Sequence, residues 1–377
     1  MVSNVSLHHI RLFYAAYFAA MGLMLPFFPV YLSHRGLGVA VVGFMTGLVS
    51  LSKVMAPPLV GMVMDQRFNM PRFVLLASLL AALFAVSFAW IGAAWGLALV
   101  VFGFGFLWAA VLPLTDGLSV VVSEAALVDY GRLRVWGSIG FVMVSLAGGA
   151  WLADRHMPDF PYWLAVLMLI MAVAARGFPA HAVSDERERE AHGRFSSAFL
   201  VLMGISFLMQ ASHGAYYGFY SLYLLKIGYS GWQVATFWVL GVIAEIVLMW
   251  SWSRPIQRAA PAWVLGSCLL LASLRWVGIA MAHAWWLLAL LQLLHAASFA
   301  AFHLNAVAWV RRLAPSHRHA SAQGWYSSLG FGLGTTVGIM VCGWLSGLYG
   351  FSVIFLVCSG VALLGVPAAF ALPRQAR

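Results

Sequence analysis

Residues 231–252 read G-W-Q-V-A-T-F-W-V-L-G-V-I-A-E-I-V-L-M-W-S-W, an apolar run that contains one charged side chain, Glu245. About 20 apolar residues in a helix cross the roughly 30 Å hydrocarbon layer of a bilayer, so this run predicts a membrane span. A charge at the centre of such a span costs about 2.5–3.5 kcal/mol on insertion scales. Because charged groups in spans usually face a partner or a water-filled cavity, Glu245 is predicted to be functional.

The whole chain has the composition of a membrane protein. Of its 377 residues, 63% are hydrophobic and only 8% are charged, which is too little charge for the surface of a soluble fold. The net charge is +10, but the basic residues are scattered between apolar runs and form no nucleic-acid-binding face. The three cysteines lie in apolar segments at spacings that predict neither a disulfide framework nor a metal site.

Twelve apolar runs predict an all-α polytopic membrane protein. The predicted spans cover residues 10–32, 39–64, 72–92, 95–120, 134–153, 158–176, 197–225, 231–252, 261–281, 284–310, 322–347 and 351–372. The first run is too long for the apolar part of a secretory signal and has no small-residue cleavage site, so we expect it to be retained as a span.

Basic residues are distributed unevenly between the two sides of the predicted membrane. With the amino terminus inside, 16 of the 21 basic residues fall on the inner segments and three on the outer ones. This asymmetry fits the positive-inside rule. It predicts a multi-pass protein of a bacterial cytoplasmic (inner) membrane, with both termini in the cytoplasm.

One hydrophilic segment divides the chain into two sets of six spans. Residues 176–194 read R-G-F-P-A-H-A-V-S-D-E-R-E-R-E-A-H-G-R, with charges of both signs and no apolar periodicity. We therefore predict an N-terminal six-helix bundle over residues 1–177, a cytoplasmic linker over 178–195 and a C-terminal six-helix bundle over 196–377.

The two halves share an internal repeat at an offset of 192 residues. Residues 31–53 read Y-L-S-H-R-G-L-G-V-A-V-V-G-F-M-T-G-L-V-S-L-S-K, and residues 223–245 read Y-L-L-K-I-G-Y-S-G-W-Q-V-A-T-F-W-V-L-G-V-I-A-E. The matches are Tyr31 with Tyr223, Leu32 with Leu224, Gly36 with Gly228 and Leu48 with Leu240. Lys53 falls opposite Glu245, so the repeat predicts two charges of opposite sign at equivalent depth in two pseudo-symmetric bundles.

Polar side chains inside the spans are candidates for binding or coupling. They are Lys53, Asp116, Arg134, Glu245, Arg275, Gln292, His295 and His303. Gln292 and His295 are three residues apart and share a helix face, whereas a helical wheel puts His303 about 80° round from His295. The alternative is a set of structural ion pairs that hold helices together, and the sequence leaves both interpretations open.

The seventh predicted span carries a second set of candidates. Gln210, His213, Tyr217 and Tyr220 form one stripe on the helix, and Tyr14 and Tyr17 are similarly three apart in the first span. Tyrosines often form a belt at the membrane surface. These tyrosines lie nearer the middle of their spans, where a hydroxyl needs a partner, which favours the wall of a polar cavity. No metalloprotease, nucleophile-elbow or P-loop motif is present, so no enzymatic activity is expected.

Two motifs, G-M-V-M-D-Q-R at 61–67 and D-Y-G-R-L-R-V-W-G-S-I-G-F at 129–141, carry a family likeness. The chain resembles the major facilitator superfamily, in particular transporters of the 3-phenylpropionate permease type, lactose permease and nucleoside–proton symporters. G-M-V-M-D-Q-R at 61–67 resembles the loop motif G-x-x-x-D-R-x-G-R-R and keeps Gly61, Asp65 and Arg67, which the resemblance makes gating residues. Gln66 stands where the motif usually has a base, and the following glycine is missing.

D-Y-G-R-L-R-V-W-G-S-I-G-F at 129–141 resembles the start of the fifth span of lactose permease. The resemblance implies that Arg134 binds substrate with Asp116 as its acidic partner, and that Phe141 takes the place of an indole that stacks on the substrate. We also expect Trp136 to lie against the substrate. The other expected substrate-binding residues are Tyr217, Tyr220, Gln210, His213 and Lys53.

The resemblance further implies a proton-coupling set in the C-terminal half. It consists of Glu245, Arg275 and His295, to which we add His303. The family's second carboxylate, three residues after the histidine, is Ser298 here, so the coupling route differs. The expected mechanism is alternating access, in which a carboxylate held away from water takes up and releases a proton. No metal and no cofactor are expected, and the proton is the coupling ion.

The expected function is proton-coupled symport of a small organic solute, and an aromatic carboxylate such as 3-phenylpropionate fits best. Arg134 suits a carboxylate, because its guanidinium binds one through two hydrogen bonds. Asp116 favours hydroxyls instead, since two anions repel. The alternatives are a nucleoside or oligosaccharide symporter, a passive uniporter, and an intramembrane enzyme or lipid-handling protein. The expected partners are the solute and the lipid bilayer, without nucleic acid, and the chain is expected to act as a monomer.

Overall fold

A computed structural model describes residues 4–67, 69–179, 195–315 and 318–372. In these ranges the regular secondary structure is helical, and twelve segments are long and apolar enough to cross a membrane. The predicted all-α fold with twelve spans is therefore confirmed.

The first half contains six long helices. They are α1 (Asn4–His34), α2 (Val39–Arg67), α3 (Met70–Ser87), α4 (Ala94–Ala126), α5 (Tyr130–Trp151) and α6 (Phe160–Ala175). The described part of the second half contains nine α-helices, because three of its six spans are each divided into two. They are α7 (Ser197–Ser212), α8 (Gly214–Lys226), α9 (Gly231–Arg258), α10 (Pro261–Met281), α11 (Trp285–His295), α12 (Phe302–Leu313), α13 (His319–Trp325), α14 (Gly334–Tyr349) and α15 (Phe351–Phe370).

The interruptions fall near the polar residues that the sequence singles out. α7 and α8 meet at His213, and π-helical turns at Ala296–Ala301 and Tyr326–Leu333 join α11 to α12 and α13 to α14. A π-helical turn widens the hydrogen-bonding pattern and rotates the side chains that follow it, and such turns often occur at functional sites.

Polar caps fix where several helices begin. Asp129 accepts a hydrogen bond from the backbone N–H of Gly131 at 2.6 Å, so α5 begins at Tyr130 rather than at the predicted residue 134. Asn69 caps α3 and Ser196 caps α7 in the same way. As a result, Arg134 lies a full turn inside α5 and not at its edge.

The described residues cluster into two compact units. Unit 1 comprises the first-half residues up to Gly36 and from Leu48 onwards, together with Ser230–Ala235. Unit 2 comprises the second-half residues up to Tyr229 and from Thr236 onwards, together with Leu37–Gly47. The predicted linker at 178–195 lies almost wholly outside the described residues, so the predicted domain limits stay predictions.

The internal repeat recurs in the backbone and hydrogen bonds of the two units. Gly36 follows α1 with φ +79° and Gly228 follows α8 with φ +98°, a left-handed conformation that favours glycine. The hydroxyl of Tyr31 donates to the carbonyl of Phe88 at 3.0 Å, and that of Tyr223 donates to the carbonyl of Ile279 at 3.0 Å. The residues matched at offset 192 therefore have equivalent structural roles.

Close packing of α1 against α5 gives a test of the fold of unit 1. A Cβ atom on Gly140 would overlap the backbone carbonyl of Ala15, whereas one on Gly117, inside α4, would meet nothing within 4 Å. We expect Gly140→Ala to lower the free energy of unfolding by about 1–3 kcal/mol because the two helices must move apart. Gly117→Ala is the matched control and should leave stability equal or higher, since alanine favours a helix. Melting temperatures of the two purified variants check this, and equal values would contradict it.

Candidate substrate and coupling sites

Unit 2 contains a buried guanidinium, that of Arg275 on α10, whose three nitrogens all have partners. Nε donates to the carbonyl of Leu291 at 3.0 Å, and Nη2 donates to Oε1 of Gln292 at 3.0 Å. Nη1 lies 2.9 Å from Nδ1 of His295 and 3.4 Å from Oγ of Ser298. All these partners are uncharged acceptors, so the positive charge is held in place without direct contact with a carboxylate.

Glu245 joins this network through His295. Oε1 of Glu245 lies 2.8 Å from Nε2 of His295, and the two side chains are 16% and 5% exposed. A guanidinium can only donate hydrogen bonds, so Nδ1 of His295 must accept from Arg275. The proton of the neutral imidazole is therefore on Nε2 and is donated to Glu245. The structure thus links carboxylate, imidazole and guanidinium in one chain with a defined tautomer.

Aromatic side chains surround the Arg275 guanidinium. Its central carbon lies 4.3 Å from the ring centroid of Tyr216 and 4.6 Å from that of Trp276. Tyr216 donates to Oε1 of Gln292 at 3.1 Å, and Nε2 of Gln292 donates to the hydroxyl of Tyr220 at 2.6 Å. Cation–π contacts and hydrogen bonds together stabilise the buried charge. The sequence prediction missed Tyr216, although its position four residues before Tyr220 could have indicated it.

Other predicted residues of the seventh span lie beside this network. Nδ1 of His213 donates to the carbonyl of Met209 at 2.8 Å, which leaves Nε2 as an acceptor without a partner among the described residues. Nε2 of Gln210 is likewise a buried donor without a described partner. The ring centroid of Tyr217 is 5.7 Å from that of His213 and 6.4 Å from that of His295.

The rings of His295, Phe299 and His303 form a stack. The centroid of Phe299 is 5.4 Å from that of His295 and 6.2 Å from that of His303, and both pairs are stacked. A regular helix would set His303 about 80° away from His295, but the π-helical turn between them brings the rings into line. Nδ1 of His303 is 3.1 Å from the hydroxyl of Tyr326.

Unit 1 contains a second polar network, centred on Asp116 of α4. Its Oδ1 atom accepts hydrogen bonds from the Tyr14 hydroxyl at 2.6 Å, the Tyr130 hydroxyl at 3.0 Å and Nη1 of Arg134 at 2.6 Å. The side chains of Arg134 and Asp116 are 36% and 31% exposed. One carboxylate oxygen thus carries the ion pair, and the network stays open to small solutes.

The side chain of Arg134 is only partly covered, with 36% of its surface exposed. Nε and Nη2 have no protein acceptor among the described residues, while the guanidinium lies 4.8 Å from the ring centroid of Phe18 and 5.4 Å from that of Tyr14. A guanidinium held at one nitrogen and resting on a ring presents its other edge to a planar anion. Tyr130 and Phe18 were not predicted, although Tyr130 precedes Arg134 by one helical turn and Phe18 follows Tyr14 by one.

A family model described as the MFS_1 like family matches residues 7–357. The chain belongs to this family of transporters. It is therefore a multi-pass membrane transporter of the major facilitator superfamily and not an enzyme, and the resemblance inferred from its motifs is confirmed.

The proteins to which this chain is similar are named for different solutes. The chain is 30% identical over 374 residues to a probable 3-phenylpropionic acid transporter of Escherichia coli (strain K12), covering 96% of each chain. It is 26% identical over 372 residues to a maltose permease of Geobacillus stearothermophilus, covering 97% of this chain and 94% of the permease. The crystal structure of the nucleoside transporter NupG superposes with a TM-score of 0.85 at 18% identity, covering 98% of this chain and 99% of that one.

Two residues expected to contact the substrate in this MFS transporter lie on α5 with Arg134. Phe141 is on the same face of α5 as Arg134 but is buried, with 4% of its surface exposed. Trp136 is exposed and lies two residues from Arg134, which places it about 200° round the helix. The rings beside the guanidinium are those of Phe18 and Tyr14, and the expected substrate contacts of Phe141 and Trp136 stay predictions.

Lys53 and the loop motif complete the predicted set. The Lys53 ammonium lies 5.6 Å from the ring centroid of Trp108, in unit 1, and has no ion-pair partner among the described residues. Gly61 is part of α2, and a Cβ atom there would meet nothing within 4 Å. The side chains of Asp65 and Arg67 lie outside the described part of the structure, so the gating role stays a prediction.

Proposed function

We propose that this transporter is a proton-coupled symporter of a small aromatic carboxylate such as 3-phenylpropionate, working by alternating access. In this proposal the protein acts as a monomer, lies in a bacterial inner membrane with both termini in the cytoplasm, and needs no cofactor. The single observation that carries the proposal is the Glu245–His295–Arg275 chain, with contacts of 2.8 and 2.9 Å.

The hydrogen bonds among Glu245, His295 and Arg275 support Glu245 as the proton carrier. Both nitrogens of His295 are occupied, one accepting from Arg275 and one donating to Glu245, so a second proton on the imidazole would have to displace a guanidinium. The carboxylate has a second oxygen that can take a proton while the first still accepts from His295. Glu245 is also the only acidic residue after residue 190 of the chain.

The network in unit 1 supports an anionic aromatic solute. The free edge of Arg134 matches the two oxygens of a carboxylate, and three donors already satisfy the facing oxygen of Asp116. Those hydrogen bonds reduce the repulsion that Asp116 would exert on a second anion. The rings of Phe18 and Tyr14 beside the guanidinium offer contact to an aromatic body. The similarity to a probable 3-phenylpropionic acid transporter agrees with this choice.

A nucleoside or oligosaccharide symporter is the second candidate. The Tyr14 and Tyr130 hydroxyls donate their protons to Asp116, so their oxygens and the second oxygen of Asp116 offer acceptors, a set that suits sugar hydroxyls. The similarities to maltose permease and NupG favour it.

Proton uptake by vesicles tests the proposal directly. The purified protein is reconstituted into lightly buffered liposomes that contain a pH-sensitive dye. 3-Phenylpropionate, uridine or maltose is then added outside, each at the same concentration. We expect 3-phenylpropionate to acidify the liposome interior. Protein-free liposomes measure the acidification caused by passive entry of the neutral acid, which is subtracted. Acidification with uridine or maltose instead would support the second candidate. Solute entry without any protein-dependent proton movement would contradict coupling and support a passive uniporter.

A further inference from the structure

A cavity of about 760 Å³ lies in unit 2, at the end of the bundle where α9 and α12 finish and α13 begins. None of its lining residues bonds to Arg275, and His303, which lines it, is joined to His295, among the described residues, only through the ring of Phe299. Its polar lining consists of Gln257, His303, Arg311, Arg312, His319 and Gln323. We call it the arginine vestibule.

The polar lining of the arginine vestibule consists of donors and basic groups, and none of its lining residues is acidic. Arg311 and Arg312 are both exposed, and neither forms an ion pair with a described residue. Glu245, the only acidic residue after residue 190, is bonded to His295, so no described carboxylate of the second half pairs with these arginines. Two neighbouring guanidiniums that have no counterion among the described residues attract an anion.

The rest of the lining is apolar and sets the kind of anion. Leu304, Val307 and Ala308 are one helical turn or less apart on α12 and form a continuous wall beside the arginines. Arg312 itself rests on the indole of Trp309, 5.1 Å from its ring centroid, which limits where its guanidinium can point. A free inorganic anion would leave the apolar wall uncovered, whereas an oxyanion attached to an apolar chain or ring would cover it.

We propose that the arginine vestibule is a binding site for an amphipathic oxyanion, a phosphate or carboxylate group on an apolar body. Two sources supply this chemistry: an anionic phospholipid of the adjoining membrane leaflet, and an organic carboxylate in solution. Basic pockets at helix ends bind anionic lipid head groups in membrane proteins generally. The site is independent of the proton coupling proposed above, so it stands or falls by direct binding and not by transport.

Direct titration of purified protein with two probes tests the site. The probes are a short-chain, water-soluble phosphatidylglycerol and 3-phenylpropionate, with the matching phosphatidylcholine as the uncharged reference. The test variant is Arg311→Gln/Arg312→Gln, and 3-phenylpropionate is titrated in an Arg134→Lys background so that the proposed substrate site does not mask the result. The matched control is Arg254→Gln/Arg258→Gln, which removes the same charge from exposed arginines near the end of α9 that do not line the cavity.

We expect the Arg311→Gln/Arg312→Gln variant to weaken binding of one probe at least tenfold and the control pair to change it less than twofold. Loss confined to phosphatidylglycerol identifies a lipid site, and loss of 3-phenylpropionate identifies a solute site. No saturable binding of either probe to the wild-type protein, or equal losses in both arginine pairs, would overturn the proposal. Gln257→Glu provides a second variant should the double substitution fail to fold, because it adds an anion to the exposed rim. It should also weaken binding, and unchanged affinity would count against the site.

Discussion

Uphill accumulation of solute is expected to disappear when Glu245 is replaced by glutamine. The amide oxygen of the substituted side chain can still accept the hydrogen bond from Nε2 of His295, so the geometry of the network is kept. The amide cannot take up or release a proton, and solute movement is therefore uncoupled from the pH gradient. A pH difference of one unit, worth about 1.4 kcal/mol per proton, supports about tenfold accumulation in the wild type. In Glu245→Gln the ratio should fall to about one.

Counterflow and a second carboxylate provide the controls for this result. Exchange of labelled for unlabelled solute needs no net proton movement, so it should persist in Glu245→Gln and show that the variant is folded. Glu124→Gln makes the same chemical change at an exposed residue of α4 and should accumulate solute like the wild type. Undiminished accumulation by Glu245→Gln would refute the proposed role of the carboxylate.

Replacing Arg134 by lysine is expected to weaken binding of 3-phenylpropionate by about 10- to 100-fold. The substitution keeps the positive charge, but an ammonium cannot bind Asp116 through one nitrogen and offer two further parallel donors to a carboxylate. Hydrogen bonds to a charged group contribute about 1.5–3 kcal/mol, which sets this range. Isothermal titration of the purified variant measures the change in Kd.

Arg132→Lys is the matched control for this measurement. Arg132 is exposed, lies two residues earlier on α5, and forms no ion pair with a described residue. Its substitution should change the Kd less than twofold. If Arg134→Lys also binds like the wild type, Arg134 does not hold the carboxylate, and the hydroxyl-rich solutes of the second candidate become the better choice.

The fold follows closely from the sequence because the bilayer imposes simple rules on it. Apolar runs long enough to cross the membrane predict the twelve spans, and the matched residues of the repeat predict equivalent local structure in both units. Gly36 and Gly228 illustrate this, since each ends a helix in the left-handed conformation. The predicted start of α5, residue 134, differs from the observed start at Tyr130, because the helix begins at the cap Asp129, which precedes the apolar run.

The site was predicted less completely, and the reasons differ between the two networks. The pairing of Asp116 with Arg134 follows from the resemblance, but the hydroxyls of Tyr14 and Tyr130 converge on it from other positions in the chain. In unit 2, a helical wheel assumes 100° per residue and cannot show the π-helical turn that aligns His303 with His295. Packing between helices and local changes of helical pitch are properties of the folded chain, so a pattern along the sequence does not show them.

The hydroxyl of Ser298 lies 3.4 Å from Arg275, at the position where the resemblance to lactose permease implies a carboxylate, and this affects the charge that crosses the membrane in each cycle. The second half of the chain is left with one acidic group, Glu245, to bind a coupling proton. Under the proposed mechanism one proton then crosses with each monoanionic solute, and the pair carries no net charge. Such a cycle is electroneutral: it draws on the pH difference across the membrane, and the membrane voltage neither drives nor opposes it.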